Sequence, residues 1–138
     1  MKITNRSSRP DKEVKQLIGF SVKRLRKILP KAHYQNLQIT VTDTDRAYQG
    51  RAWDSLRHEG YYRILIRIGK NFPVEHAGYR WKYKTAPEYT MDTWQESLVV
   101  VAAHEAYHII QFHKKDKRSE IKAEKFAVKV VERYRSQM

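Results

Sequence analysis

Ala103-His104-Glu105-Ala106-Tyr107-His108 is the stretch around which the chain is read. On a helix, residues four apart lie one turn apart on one face. His104 and His108 can therefore share a single Zn2+, with Glu105 beside the metal as a general base. The flanks favour a buried helix. Leu98 to Ala103 is apolar, and Ile109 and Ile110 keep the following turn inside. Asp92 with Gln95, and Thr93 with Glu96, each fit a capping box at its start. Two histidines and a glutamate can also simply decorate a helix face, so a third ligand decides the matter.

Catalytic zinc usually takes three protein ligands and keeps a fourth position open. The run Ser119-Glu120-Ile121-Lys122-Ala123-Glu124-Lys125-Phe126-Ala127 supplies a candidate. Polar residues His113 to Arg118 read as a turn, after which a second helix begins with Glu120 in its first turn. Small Ala123 and Ala127 allow that helix to approach the first closely. Glu124, one turn beyond Glu120, can accept a hydrogen bond from a ligand histidine and fix its tautomer. The competing view makes Glu120 and Glu124 two solvated charges paired with nearby lysines.

The pattern His104-Glu105-x-x-His108 followed by Glu120-x-x-Ala123-Glu124 resembles the gluzincin metallopeptidases, whose motifs are HExxH and a downstream E-x-x-[AS]-[DE]. Ala123-Glu124-Lys125-Phe126-Ala127 is similar to the corresponding end in compact minigluzincins and ImmA/IrrE-type small zincins. The resemblance covers about the last third of the chain. It implies His104, His108 and Glu120 as ligands of one Zn2+ per chain, Glu105 as the residue that activates water, and Glu124 as support. It also implies a peptide or protein substrate. Glu120 follows His108 by a shorter connection than most gluzincins have. His113 is the competing ligand. It stands five positions after His108, whereas the metzincin pattern needs its third histidine at six, after a glycine, and none lies between. Glu120 is therefore preferred. A His or Tyr outside the ligand set usually faces the developing oxyanion. His113, His76, Tyr89 and Tyr107 are available, although Tyr107 should point away from the metal. His33, His58 and His76 have no motif partners.

The length of 138 residues fits one domain with a modest core, and a 41% hydrophobic composition excludes a disordered chain. Cysteine is absent, which removes disulfides and thiolate zinc sites. No apolar leader follows Met1, and no apolar run approaches membrane-spanning length, so a cytoplasmic protein without a membrane partner is expected. The oligomeric state is not legible. The net charge is +13, with +8 in residues 1–36, zero in 37–112 and +5 in 113–138. Such basic termini attract polyanions, nucleic acid first among them, or merely solubilise the chain.

Taken in order, residues 1–9 read as flexible. A helix start at Ser8, Pro10 and Asp11 leads into an amphipathic pattern of Val14, Leu17, Ile18, Leu25 and Ile28 that ends near Pro30. Leu37, Ile39 and Val41 alternate as a half-buried strand, and Tyr62, Ile64, Ile66 and Ile68 alternate as the clearest one. Residues 46–60 are ambiguous. Tyr79, Trp81 and Tyr83 alternate with cations and predict a strand, either packed on the helices or exposed as a base-stacking platform. The predicted fold is α+β and zincin-like: an N-terminal helix, a small, mostly antiparallel sheet of three to four strands, the metal-site helix and the third-ligand helix. In the zincin scaffold an edge strand binds extended peptide, and Tyr79–Lys84 or Tyr62–Ile68 is the candidate for it. Two functions are expected from different classes. One is a small zinc metallopeptidase. The other is a basic, nucleic-acid-associated binding protein on a zincin scaffold with structural zinc or none.

Overall fold

The computed structural model describes residues 1–55, 57–76, 80–81, 84–85 and 87–137. Residues 1–9 are not loose as expected. Lys2–Asn5 forms strand β1, held by Lys2 N–H to Leu37 O at 2.8 Å and Arg6 N–H to Val41 O at 2.8 Å. Only Ile3 in this strand is apolar, so it has no signal of its own and is ordered by its partner. Ser8 is tied in turn to the Asp43 carboxylate, by its N–H at 2.8 Å and its hydroxyl at 3.2 Å.

The predicted N-terminal helix is divided. Helix α1 spans Asp11–Ser21 and α2 spans Lys23–Ile28, with Val22 between them out of helical geometry at φ −105° and ψ 12°. Pro30 then opens a further short helix, α3, at Lys31–Asn36. The apolar positions keep one face throughout, because Val14, Leu17, Ile18, Val22 and Leu25 are all buried.

Strands β2 (Gln38–Asp43), β3 (Tyr48–Asp54) and β4 (Tyr62–Ile68) complete a four-stranded sheet in the order β1-β2-β4-β3. Pairings β1–β2 and β2–β4 are parallel and β3–β4 is antiparallel, so the sheet is mixed and not mostly antiparallel. The connections explain this. Parallel neighbours need a long crossover; α1 to α3 provide it between β1 and β2, and β3 provides it between β2 and β4. Because β4 is flanked by β2 and β3, Tyr62–Ile68 is not an edge strand as expected; the edges of the main sheet are β1 and β3, the latter within the stretch that was ambiguous in sequence.

Two small ladders follow. Strand β5 (Val74–His76) pairs antiparallel with the later β8 (Tyr89–Met91). Between them β6 (Arg80–Trp81) pairs antiparallel with β7 (Lys84–Thr85). Arg80–Trp81 and Lys84–Thr85 therefore do not belong to one continuous strand. Tyr79 and Tyr83 lie outside the described residues, and only the backbone of Trp81 is described.

Helix α4 (Trp94–Lys114) packs against α1, β3, β4 and the last helix, α5 (Glu120–Ser136). It is buried on nearly every side, from Glu96 to Ala103 and again at Glu105, Ala106 and His108 to Gln111. One of the two expected caps forms. Thr93 Oγ1 accepts from Glu96 N–H at 3.2 Å, while the Glu96 carboxylate reaches back to Asp92 N–H at 2.9 Å. His113 remains inside α4, which runs further than the sequence suggests and closes at Lys115, a left-handed residue at φ 57°. Ser119 caps α5 by accepting from Lys122 N–H at 3.2 Å. Fully buried Ala123 and Ala127 let α4 and α5 lie close together, as their size predicts. At the far end, Arg135 of α5 binds the Glu96 carboxylate at 2.8 Å and the Thr90 carbonyl. Among the described residues no helix is long and apolar enough to cross a membrane.

Candidate metal centre

Helix α4 carries His104, Glu105 and His108 on two successive turns, and the first turn of α5 brings Glu120 against them. His104 Nε2 lies 2.8 Å from Glu120 Oε2 and 3.1 Å from His108 Nε2. His108 Nε2 is 3.1 Å from Glu120 Oε1 and 3.2 Å from Oε2. Two ring nitrogens and a carboxylate thus converge on one point.

The far side of each ring is engaged. The Gln111 amide nitrogen donates to Ser119 O at 3.5 Å, which turns its oxygen to His108. His108 Nδ1–H donates to that oxygen at 2.8 Å, so the lone pair is left on Nε2. His104 Nδ1 lies 2.6 Å from Glu124 Oε1, at ion-pair distance but off the hydrogen-bonding direction. Glu124 therefore stands beside the His104 ring, but without the hydrogen bond expected of it. It is itself fixed by the Tyr89 hydroxyl at 2.9 Å and by His76 Nε2 at 3.3 Å, with the His76 and Tyr89 rings stacked at 4.7 Å.

This donor set fits a divalent cation. For tetrahedral ligands about 2 Å from a metal, donors stand roughly 3.3 Å apart, close to the observed spacings. Imidazole nitrogens facing one another across 3.1 Å otherwise need a proton between them. The ligand atoms of His104, Glu105 and His108 also lie within 4.8 Å of one another. Glu120 suits the third position better than Glu105. Glu120 touches both rings, whereas Glu105 Oε1 is 3.9 Å from His104 Nε2.

The charges respond to this crowding. Burial alone would lower the His104 pKa, but Glu120 and Glu124 outweigh it and lift it to about 9. The contact with His104 holds Glu120 down at about 2. Burial keeps His108 below its ordinary value despite Gln111. Burial also pushes the Glu105 carboxyl up to about 7. Its Oε2 is buried without a partner, which is an expensive state for an ionised oxygen.

Sequence reasoning missed Gly50. It sits in β3 where a Cβ would come within 2.6 Å of Val101 Cγ1 and 2.9 Å of Glu105 Cγ and Oε1. A glycine inside a strand signals such an approach. Gln111 was missed as well, although a lone polar residue in the apolar run Ile109 to Phe112 marks a buried hydrogen bond. Nothing local foretells that His76 and Tyr89 meet at Glu124. His113 is not brought to the centre. Its Nδ1 is 3.5 Å from the Tyr62 hydroxyl, and its ring packs edge-on to His33 at 5.8 Å. Tyr107 also turns away, onto Phe126 at 5.3 Å, as expected. The centre opens into a cavity of about 410 Å3 lined by Tyr48, Gly50, His76, Glu105 and Arg118, among others. No protein-family model, curated protein or solved structure matches the chain.

Proposed function

We propose that the chain is a small zinc-dependent peptidase in which His104, His108 and Glu120 would hold the metal and Glu105 is the general base. The observation that carries this reading is the convergence of two imidazole Nε2 atoms and one carboxylate, with the opposite nitrogen of each ring engaged by Gln111 or Glu124. Two imidazoles and a carboxylate, with no thiolate, suit a hydrolytic zinc site. A zinc ion there supplies a Lewis acid and lowers the pKa of water.

The chain's own residues do the rest. Glu105 lines the cavity beside His104, where its carboxylate would take a proton from water and pass it to a leaving amine. Tyr89 and His76 are committed to Glu124 and so orient His104 from behind. Strand β3 is the edge to which an extended peptide would add. Gly50, without a side chain, lets that edge pack directly against Glu105. The basic surface would bring polyanionic or polyanion-bound proteins toward the site.

Metal content tests this reading. Wild type should carry one zinc per chain, lost in His104→Ala and Glu120→Gln and kept in His113→Ala. Hydrolysis of a quenched peptide library should be present in wild type and absent in zinc-loaded Glu105→Gln. Wild type that takes up no zinc on addition would overturn the proposal.

A further inference from the structure

The sheet has a second face, and nothing in the metal centre uses it. Alternation sends Tyr62, Ile64, Ile66 and Ile68 into the core and leaves Arg63, Leu65 and Arg67 on the outside. Register places Trp53 opposite Arg63, Arg51 opposite Leu65, and Gln49 opposite Arg67. Strands β3 and β4 therefore present three arginines, one tryptophan and no carboxylate on this face. The Arg51 guanidinium lies over the Trp53 ring at 5.3 Å.

The strip runs into a groove. A cavity of about 410 Å3 lies between the strand ends and the segment after β3, lined by Trp53, Arg57, His58, Tyr61 and Arg63, among others. Asn36 and Gln38 add polar groups, and Asp54 is the one carboxylate among the described lining residues. Tyr61 is 47% exposed, and it is the exposed large hydrophobic side chain among the described residues. Its placement is built. Tyr61 N–H donates to His58 O at 3.3 Å and Ser55 N–H to Tyr61 O at 3.1 Å. Ser55 Oγ accepts from His58 N–H at 3.2 Å, and Gly60, at φ 81°, lies against the His33 ring. The His58 and Tyr61 rings stand 5.5 Å apart.

We propose that this groove binds single-stranded nucleic acid, with Tyr61, His58 and Trp53 as faces for bases and Arg57, Arg63 and Arg51 as partners for phosphates. Rings interleaved with arginines recognise unpaired bases on a charged backbone. A duplex keeps its bases stacked inside, beyond the reach of a concave aromatic lining. A bilayer is disfavoured because Tyr61 is, among the described residues, the one exposed large apolar side chain and lies in a polar groove, without the apolar face that interfacial binding requires. The chain's +13 charge concentrates polyanions from a distance. The groove lies across the sheet from His104, so it stands independently of the peptidase reading.

The test is fluorescence anisotropy with a labelled single strand of about 12 nucleotides and its duplex, at about 50 and 200 mM salt. The single strand should bind more tightly than the duplex. Tyr61→Ala should weaken it at least about fivefold while Tyr61→Phe stays near wild type, because stacking needs the ring and not the hydroxyl. Arg63→Gln should lower the salt slope by about 0.7, the value for one phosphate on a single strand. The paired change Lys125→Gln and Lys129→Gln, on the exposed side of α5, should cost less than Tyr61→Ala. Zinc content should be unchanged in all of them. Tyr61→Ala binding like wild type would overturn the proposal; so would equal affinity for the duplex, or displacement of the strand by phosphatidylserine vesicles.

Discussion

Gly50 and Glu105 approach so closely that a methyl group on the glycine would stand 2.9 Å from the carboxylate oxygen. The backbone of β3 thus forms the wall behind the candidate base. Gly50→Ala should push Glu105 and Val101 aside and cost about 1–3 kcal/mol of stability, the usual cost of overpacking. Denaturant melts would measure this. Peptide hydrolysis should fall further than stability alone explains, and a variant with unchanged melt and unchanged hydrolysis would show that the wall has no such role.

Gln111 and Glu124 act through the histidines they touch. Gln111→Leu removes the acceptor that places the lone pair of His108 on Nε2, and Glu124→Gln weakens the hold on His104. Zinc affinity should drop about 10- to 100-fold in each, the range for groups that orient ligand imidazoles. Competition with a chromophoric chelator reads this directly. His113→Ala, which removes a ring turned away from the centre to Tyr62 and His33, serves as the control and should leave affinity unchanged.

Glu96 gives the fold an acid-sensitive clamp. Burial pushes its carboxyl up, but Arg135 and the Asp92 N–H outweigh burial and hold it below the ordinary 4.5. A carboxyl depressed in the folded state stabilises fully above its unfolded value and loses that contribution as pH falls through the folded one. Glu96→Gln should therefore cost about 1–3 kcal/mol near neutrality, as expected for hydrogen bonds to a charged group. The gap to wild type should close as urea midpoints are followed below about pH 4.5. A gap that is constant with pH would mean that the charge on Glu96 does not matter.

Lys115 ends α4 in the left-handed region, at φ 57° and ψ 31°, while Asp116 N–H returns to Gln111 O at 2.9 Å. Side chains other than glycine are strained there. Lys115→Gly should raise stability by up to about 1 kcal/mol. Thermal melts would check it, and a lower melting temperature would mean that the lysine side chain contributes something the backbone does not show.

The sequence was most legible where local pattern and tertiary role coincide. Strand β4 alternates because one face is core and the other is not, and it forms over the predicted residues. The cap at Thr93 and Glu96 and the placing of Glu120 in the first turn of α5 are equally local. Parallel pairing was not legible, since the neighbours of β2 are set by crossovers elsewhere in the chain. Strand β3 was hidden because α4 presses on it, so its inward positions are Gly50 and Ala52 where large apolar residues would have shown alternation. The histidine pair and Glu120 could be read from spacing. Gln111, His76 and Tyr89 could not, because they reach the centre from separate elements.

Strand β3 serves two chambers. Successive residues on this strand belong to different surroundings: Tyr48 and Gly50 line the histidine cavity, while Trp53 lines the aromatic groove and Arg51 lies over it. The strand is a partition one backbone thick, and each of its faces is furnished from the same seven residues. Because side chains alternate, a slip of a single residue against β4 would exchange the two sets, placing Arg51 behind Glu105 and Gly50 out on the arginine strip. The pairing of β3 with β4 therefore assigns both chambers at once, and neither can be re-registered without dismantling the other.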